Sequence, residues 1–311
     1  MKKIITLTLN PAVDLHCYIE NFAPYHENLA HYIGKPLPSG KGVNISRALT
    51  VCGVESLAFV VLGSENGASF EKELTDFGMN VQSMTVAGRI RENMTVHTNN
   101  ADETRISFSG FAADSALLKR VEDALIDRVD EDTFVTFTGR VPDGIPMEDT
   151  KRFLRSLISR GAKIVIDSKS FDLDDLIEMK PWLIKPNQEE ISEYLNREVN
   201  TFEEVSRAAY ELYEQGIANV MISLGSQGAL LVCDEGTMIA TPPTVDAIST
   251  IGAGDSSIGG FLSEAIKGAS AEQMLCGAVS YGTAACLTPG TEPPRAEDVL
   301  VIRQQVNVQF L

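Results

Sequence analysis

Thiols are scarce in this chain: Cys17, Cys52, Cys233, Cys276 and Cys286 are scattered, odd in number and without a CxxC pair. That pattern argues against a disulfide framework and suits reduced thiols in the cytosol. Histidine is scarcer still, and His16, His26, His31 and His97 form no HxxxH or HExxH spacing, so a zinc centre is not expected. Positive charge is in deficit. With 26 Lys plus Arg against 43 Asp plus Glu, the net charge of −17 opposes binding to nucleic acid or to an anionic membrane. There is neither an uninterrupted apolar run of the ~18 residues that a membrane span needs nor a cationic-apolar leader. A cytoplasmic protein with no nucleic-acid or membrane partner is the expectation, and any anion site in it must be basic locally.

What is present is alternation. Short β-rich runs at 4–9, 57–62, 134–138, 163–167, 182–185 and 220–224 are separated by helical patterns such as 43–51, 116–128, 150–160, 203–215 and 271–286. This order predicts an α/β fold with a mainly parallel sheet and helices on both faces. The 311 residues are expected to form one domain around one large core. Two stretches, about 12–38 and 84–110, lack a helical period and read as strands of a small second sheet. Such a sheet would make a lid, and its edges would favour pairing with a second copy of the chain; two long irregular loops are the alternative. Polar motifs fall after predicted strands: Asn10-Pro11-Ala12-Val13-Asp14, Gly139-Arg140-Val141-Pro142 and Lys185-Pro186-Asn187-Gln188-Glu189-Glu190. Ligands of parallel sheets gather at such carboxyl ends, so these motifs are expected to converge on one cleft.

The run Thr250-Ile251-Gly252-Ala253-Gly254-Asp255 carries the most chemistry. After Asp255, the apolar residues Ile258, Phe261, Leu262, Ala265 and Ile266 keep a helical spacing, so a helix begins inside the motif. Its unpaired N–H groups and dipole can close on a phosphate-like anion past the small Gly252, Ala253 and Gly254. Asp255 then either caps the helix or takes the proton from a hydroxyl that attacks a transferring phosphoryl group. Gly40-Lys41-Gly42 is no Walker A loop, because Lys35 stands where the first Gly is required and Gly42 where Ser or Thr binds magnesium. Gly252-x-Gly254 is followed by Ser257 where a dinucleotide fingerprint needs its third Gly.

Taken in order, Thr8-Leu9-Asn10-Pro11-Ala12-Val13-Asp14, Gly40-Lys41-Gly42-Val43-Asn44, Arg89, Arg91 and Asn93, Ser107-Phe108-Ser109-Gly110-Phe111, Lys185-Pro186-Asn187, Ser223-Leu224-Gly225 and the run from Thr250 to Gly260 resemble the ribokinase-like (PfkB) carbohydrate kinase family over nearly the whole chain. The resemblance implies a ribokinase-like three-layer sandwich with a mainly parallel central sheet and a small β-sheet lid that pairs into a homodimer. It implies an ATP- and Mg²⁺-dependent kinase of the phosphosugar branch. D-fructose 1-phosphate is the leading substrate, and the alternatives are tagatose 6-phosphate or a non-catalytic sugar-phosphate-binding protein.

The same resemblance assigns Asp255 as base and Gly252, Ala253 and Gly254 as the anion hole. Asp14 and Asn44 suit polyol recognition, Asn44 having helix capping as its alternative. Gly40 and Gly42 would let backbone approach the ligand, while Lys41 and Arg91 supply cations for the sugar phosphate. On the nucleotide side it implies Lys185, Asn187, Ser223, Gly225, Gly228 and Gly254, with Asn187 and Glu190 toward magnesium. Two residues depart from the family pattern: Arg140, where a small hydroxyl is usual, and Lys169, where a small residue is usual. Arg140 either contacts phosphate, reshapes the sugar pocket or faces solvent.

Overall fold

The computed structural model describes residues 2–99 and 103–311. Along the chain the strands are β1 (Lys3–Thr8), β2 (Ala12–Tyr18), β3 (His31–Tyr32), β4 (Leu37–Ser39), β5 (Leu57–Gly63), β6 (Asn80–Val86), β7 (Arg91–His97), β8 (Glu103–Ser107), β9 (Thr133–Thr138), β10 (Lys163–Asp167), β11 (Leu183–Ile184), β12 (Asn219–Ser223), β13 (Ala229–Cys233), β14 (Gly236–Thr241) and β15 (Asn307–Phe310). The helices are α1 (Lys41–Val51), α2 (Gly67–Asp76), α3 (Ser115–Leu125), α4 (Met147–Ser159), α5 (Leu173–Met179), α6 (Gln188–Leu195), α7 (Phe202–Glu214), α8 (Ala253–Ala265), α9 (Ala271–Ala285) and α10 (Ala296–Arg303).

Strands such as β1 and β9 are buried along nearly their whole length, because helices cover both faces of the sheet they build. That sheet has ten strands in the order β15-β14-β13-β12-β11-β10-β9-β1-β5-β6. From β12 across to β6 every pairing is parallel, with β1 held between β9 and β5. Beyond β12 the chain adds β13, β14 and β15 antiparallel, an extension absent from the expected strands. Alternate residues feed two apolar layers. Ile5, Leu7 and Phe137 face one layer, with Phe153 and Leu157 of α4. Ile4 and Phe134 face the other, with Ile45 of α1 and Ile258 and Phe261 of α8.

A second sheet of five strands is laid out as β3-β2-β7-β8, with β4 on β2. Its β2 and β7 run parallel, so Asp14 lies beside Asn93, and β8 runs antiparallel to β7, placing Ser107 opposite Asn93. The boundaries differ from the sequence expectation. Met84–Val86 continue β6 of the large sheet beside Val61–Gly63, and Phe108–Gly110 lie outside any strand. Positions 100–102 of the expected 84–110 stretch lie outside the described residues. Among the described residues no helix is long and apolar enough to cross a membrane.

Candidate active site

The polar ends of β1, β9, β10, β11 and β12 open on the same side of the large sheet, where the start of α8 meets them. Gly252, at φ +80°, takes the N-cap position of α8 without a side-chain cap, and Asp255 is the third residue of the helix. The capping reading of Asp255 therefore does not apply. Its carboxylate is 8% exposed and accepts a 2.8 Å hydrogen bond from Asn44 Nδ2. Burial, reinforced by the nearby Asp167 carboxylate, pushes Asp255 up to about 6 against the opposing pull of Lys41, Asn44 and Lys185. The N–H groups of Gly254 and Asp255 bond nothing among the described residues, whereas the Ala253 N–H points to Thr250 O at 3.4 Å. The Gly252 N–H is likewise without a partner among the described residues, so Asp255 joins Gly252 and Gly254 as N–H groups open to a ligand, beside the loosely held Ala253 N–H.

Asn44 is likewise inside its helix rather than capping it. Gly40 is the N-cap of α1, and the Asn44 N–H closes on Gly40 O at 2.8 Å. This leaves the Asn44 side chain free for Asp255, with its Oδ1 buried and unpartnered. Packing also demands Gly42: a Cβ there would stand 2.5 Å from Thr8 Oγ1 and 2.6 Å from Leu7 O, so its absence lets α1 press on β1.

Asp14 reaches the cleft from the second sheet, 5% exposed. Its Oδ1 accepts from Asn93 Nδ2 at 2.8 Å and lies 3.6 Å from Arg105 Nη2. Its Oδ2 faces Thr291 Oγ1 at 3.4 Å, and Thr291 O in turn accepts from the buried Arg47. Arg91, at the start of β7, is lowered by burial and by the neighbouring Arg140 and Arg105 charges, with Asp14 opposing. Three guanidiniums therefore crowd one end of the cleft, and Arg140 belongs to that group. Cations brought together in this way are costly unless an anion joins them. The Arg91 Nε, Asn93 Oδ1, Asn44 Oδ1 and Thr8 Oγ1 atoms are buried without protein partners, as expected where a polar ligand completes the bonding. Sequence reading missed Arg105 and Thr291. The alternation of Thr104-Arg105-Ile106-Ser107 was the available signal for Arg105.

Lys41 is not at this end. Its Nζ stands 2.9 Å from Asp167 Oδ1 and also bears on Asp255, whose charge together with that of Asp167 raises it despite burial. Lys185 Nζ lies 3.7 Å from Asp167 Oδ2 and close under Gly254, where a Cβ would meet it at 3.1 Å. Asp167, which sequence reading left as the end of a strand, is thus central to the cleft.

Beyond Gly254 opens a cavity of about 620 Å³, apolar at Pro243, Val245 and Val279 and polar at Lys185, Asn187 and Ser223. Gly225 lines it, and no atom would obstruct a Cβ at that position. Gly228 lines it too, but a Cβ there would fall 1.9 Å from Ala240 O, so this glycine is demanded by the turn from β12 to β13. Asn187 and Glu190 form a reciprocal capping box at the start of α6: Asn187 Oδ1 accepts from Glu190 N and Glu190 Oε2 from Asn187 N. The remaining Glu190 Oε1 lies 3.7 Å from Lys169 Nζ, which places the second unusual residue. Among the described residues no cluster of three or more His, Cys, Asp or Glu is disposed to hold a metal.

Known proteins share this fold. The model of the pfkB family carbohydrate kinases matches residues 15–298. The chain is 33% identical over 274 residues to 1-phosphofructokinase of Escherichia coli K12, covering 88% of each chain. It is 28% identical to 1-phosphofructokinase of Vibrio cholerae, covering all of this chain and 98% of that one. The solved structure of phosphofructokinase-2 from Escherichia coli in complex with potassium superposes with a TM-score of 0.91 at 28% identity, covering 98% of this chain and 99% of the other. With a large parallel sheet, a smaller sheet closing on its carboxyl ends and Asp255 at the start of α8 between them, the chain belongs to the pfkB family of carbohydrate kinases.

Proposed function

We propose that this kinase phosphorylates D-fructose 1-phosphate at O6, using ATP and Mg²⁺ and giving fructose 1,6-bisphosphate. The observation that carries the reading is the place of Asp255: a buried carboxylate, pushed up to about 6 by that burial, between the end of the cleft where the Arg91, Arg105 and Arg140 charges act on one another and a nucleotide-sized cavity. Asp14, Asn44 and Asn93 orient the sugar hydroxyls, and Arg91, Arg105 and Arg140 hold its phosphate, where a guanidinium fork matches the oxyanion geometry. Asp255 accepts the proton of the attacking hydroxyl, a role typically worth ~10²–10⁴-fold. The Gly254 and Asp255 N–H groups stabilise charge on the transferring group, a contribution on the order of 10²–10³-fold per donor. The relatives named 1-phosphofructokinase support this substrate.

The residues present fit MgATP. The apolar end of the cavity suits an adenine, and Lys185, Asn187 and Ser223 at its polar end suit phosphates. One carboxylate, Glu190, and one amide, Asn187, suit a hard ion held largely through water and phosphate oxygens. When bound, MgATP supplies the phosphoryl group and neutralises its charge. The whole chain is read as one kinase domain with the second sheet as its lid. Phe22, Tyr25, Leu29, Tyr32 and Phe108 on and around that sheet are exposed, which supports pairing of two lids into a homodimer. The free cysteines fit a cytoplasmic location.

The test is steady-state ATP turnover with Mg²⁺ across fructose 1-phosphate, fructose 6-phosphate, tagatose 6-phosphate and unphosphorylated sugars, ranked by kcat/KM. Preference for fructose 1-phosphate is the expected result. Preference for tagatose 6-phosphate, the alternative substrate, would move the specificity to the guanidinium end of the cleft. Absence of turnover with every sugar would leave a binding protein.

A further inference from the structure

We propose that Asp167 is a positioning residue for phosphoryl transfer: its buried carboxylate holds the ammonium of Lys41 with one oxygen and that of Lys185 with the other, fixing where both meet the transferring group. The inference rests on the kinase reading with Asp255 as base.

Lys41 opens α1 and Lys185 follows β11, two elements far apart in the chain that are tied together here at the end of β10. Asp167 is the last residue of β10 and 6% exposed. Its Oδ1 stands 2.9 Å from Lys41 Nζ, and that ammonium also donates to Asp167 O at 3.3 Å, so one residue grips it twice. Its Oδ2 stands 3.7 Å from Lys185 Nζ, which the near contact with Gly254 aims at the anion-binding turn. A buried carboxylate between two cations is weak evidence for stability, since its desolvation cost offsets most of the attraction. The arrangement is accounted for by what the two ammonium groups face: the Asp255 carboxylate on one side and the Gly254 turn on the other.

The charged and titratable groups bearing on this cluster are Lys41, Lys185, Asp255, Glu190 and Tyr194. The two lysines hold the Asp167 carboxyl below its usual range although burial opposes them, so it is an anion when Asp255 works. The Asp167 anion makes Asp255 harder to ionise, and Lys41 and Lys185 make it easier. Removing only the Asp167 charge therefore leaves both lysines opposed by burial alone and lowers the pH at which the base ionises.

The experiment compares kcat and kcat/KM across pH 4.5–8.5 for wild type, Asp167→Asn and Asp167→Glu, with thermal unfolding of each. Asp167→Asn keeps the shape and removes the charge. Its acid limb is expected to move down by about one pH unit, with kcat reduced about 10²-fold as the lysines lose their anchor. Asp167→Glu keeps the charge and displaces it by one methylene, so its acid limb is expected at the wild-type position with a reduced kcat. An unmoved acid limb in a folded Asp167→Asn variant overturns the inference. If that variant does not fold, Asp167→Glu decides: wild-type kcat overturns it, and reduced kcat at an unshifted limb supports it. Wild type without turnover on any phosphosugar overturns the kinase reading first, and this inference with it.

Discussion

Replacing Asp255 by Asn should stabilise the protein while disabling it. Asp255 is pushed from 3.8 up to about 6, chiefly by burial. A carboxyl raised in the folded state contributes its full stability below its unfolded value near pH 4, and that contribution is lost as pH rises through 6. The gap of about two pH units corresponds to about 3 kcal/mol by pH 8. The substituted amide would keep an oxygen to accept the Asn44 bond, but it would forfeit the favourable charge in the first turn of α8, worth about 0.3–1 kcal/mol. A net gain of about 2 kcal/mol remains, or roughly 3 °C in Tm for a domain of this size. Calorimetry of wild type and Asp255→Asn at pH 4 and pH 8 tests this: the gain should be present at pH 8 and absent at pH 4. A variant less stable than wild type at pH 8, or a difference independent of pH, would refute the reasoning. Turnover of the same sample should fall at least 10²-fold, and near-normal turnover would remove Asp255 from the chemistry.

Three further outcomes are expected. The kcat/KM of wild type should fall below pH 6 as Asp255 is protonated, and a profile flat to pH 5 would contradict the shift shown by its buried site. Arg91→Ala should raise the phosphosugar KM by at least tenfold with little change for ATP, and the half-exposed Arg105→Ala should do so less; equal effects on both substrates would place the guanidiniums elsewhere. Asn187→Ala should cost about 1 kcal/mol through loss of the α6 cap and also raise the Mg²⁺ concentration needed for half-maximal rate; a change in Tm alone would confine Asn187 to the capping box.

The buried parallel strands were legible because each reads as a short, mostly apolar run between turn residues. The edges were not. Gln82, Ser83 and Thr85 make β6 polar, as an edge strand can be, and its last residues read as part of the second sheet. In β15, Asn307 and Gln309 leave too little apolar pattern to announce a strand. In the site, motif reading singled out Asp255, Asp14, Asn44, Arg91 and Lys185 by position, and the fold brings them to one cleft. Motif reading could not see what they touch: Lys41 was read as a sugar-phosphate cation, and only the fold brings it to Asp167, 126 residues away. Arg105 lacked a motif and depended on the pairing of β7 with β8. Arg140 stood out as an oddity, but only its approach to Arg91 gave it company.

The position of β1 has a consequence during synthesis. β1 is made before either of its neighbours in the finished sheet, β5 and β9, and β9 begins at Thr133. At ~5–20 residues per second, the nascent chain carries Ile4, Ile5 and Leu7 for roughly 7–25 s before both neighbours have been made. During that interval an apolar segment with at least one open edge is a target for chaperones and for other nascent copies. Expression yield should therefore respond to translation rate and temperature, even in variants whose folded stability equals that of wild type.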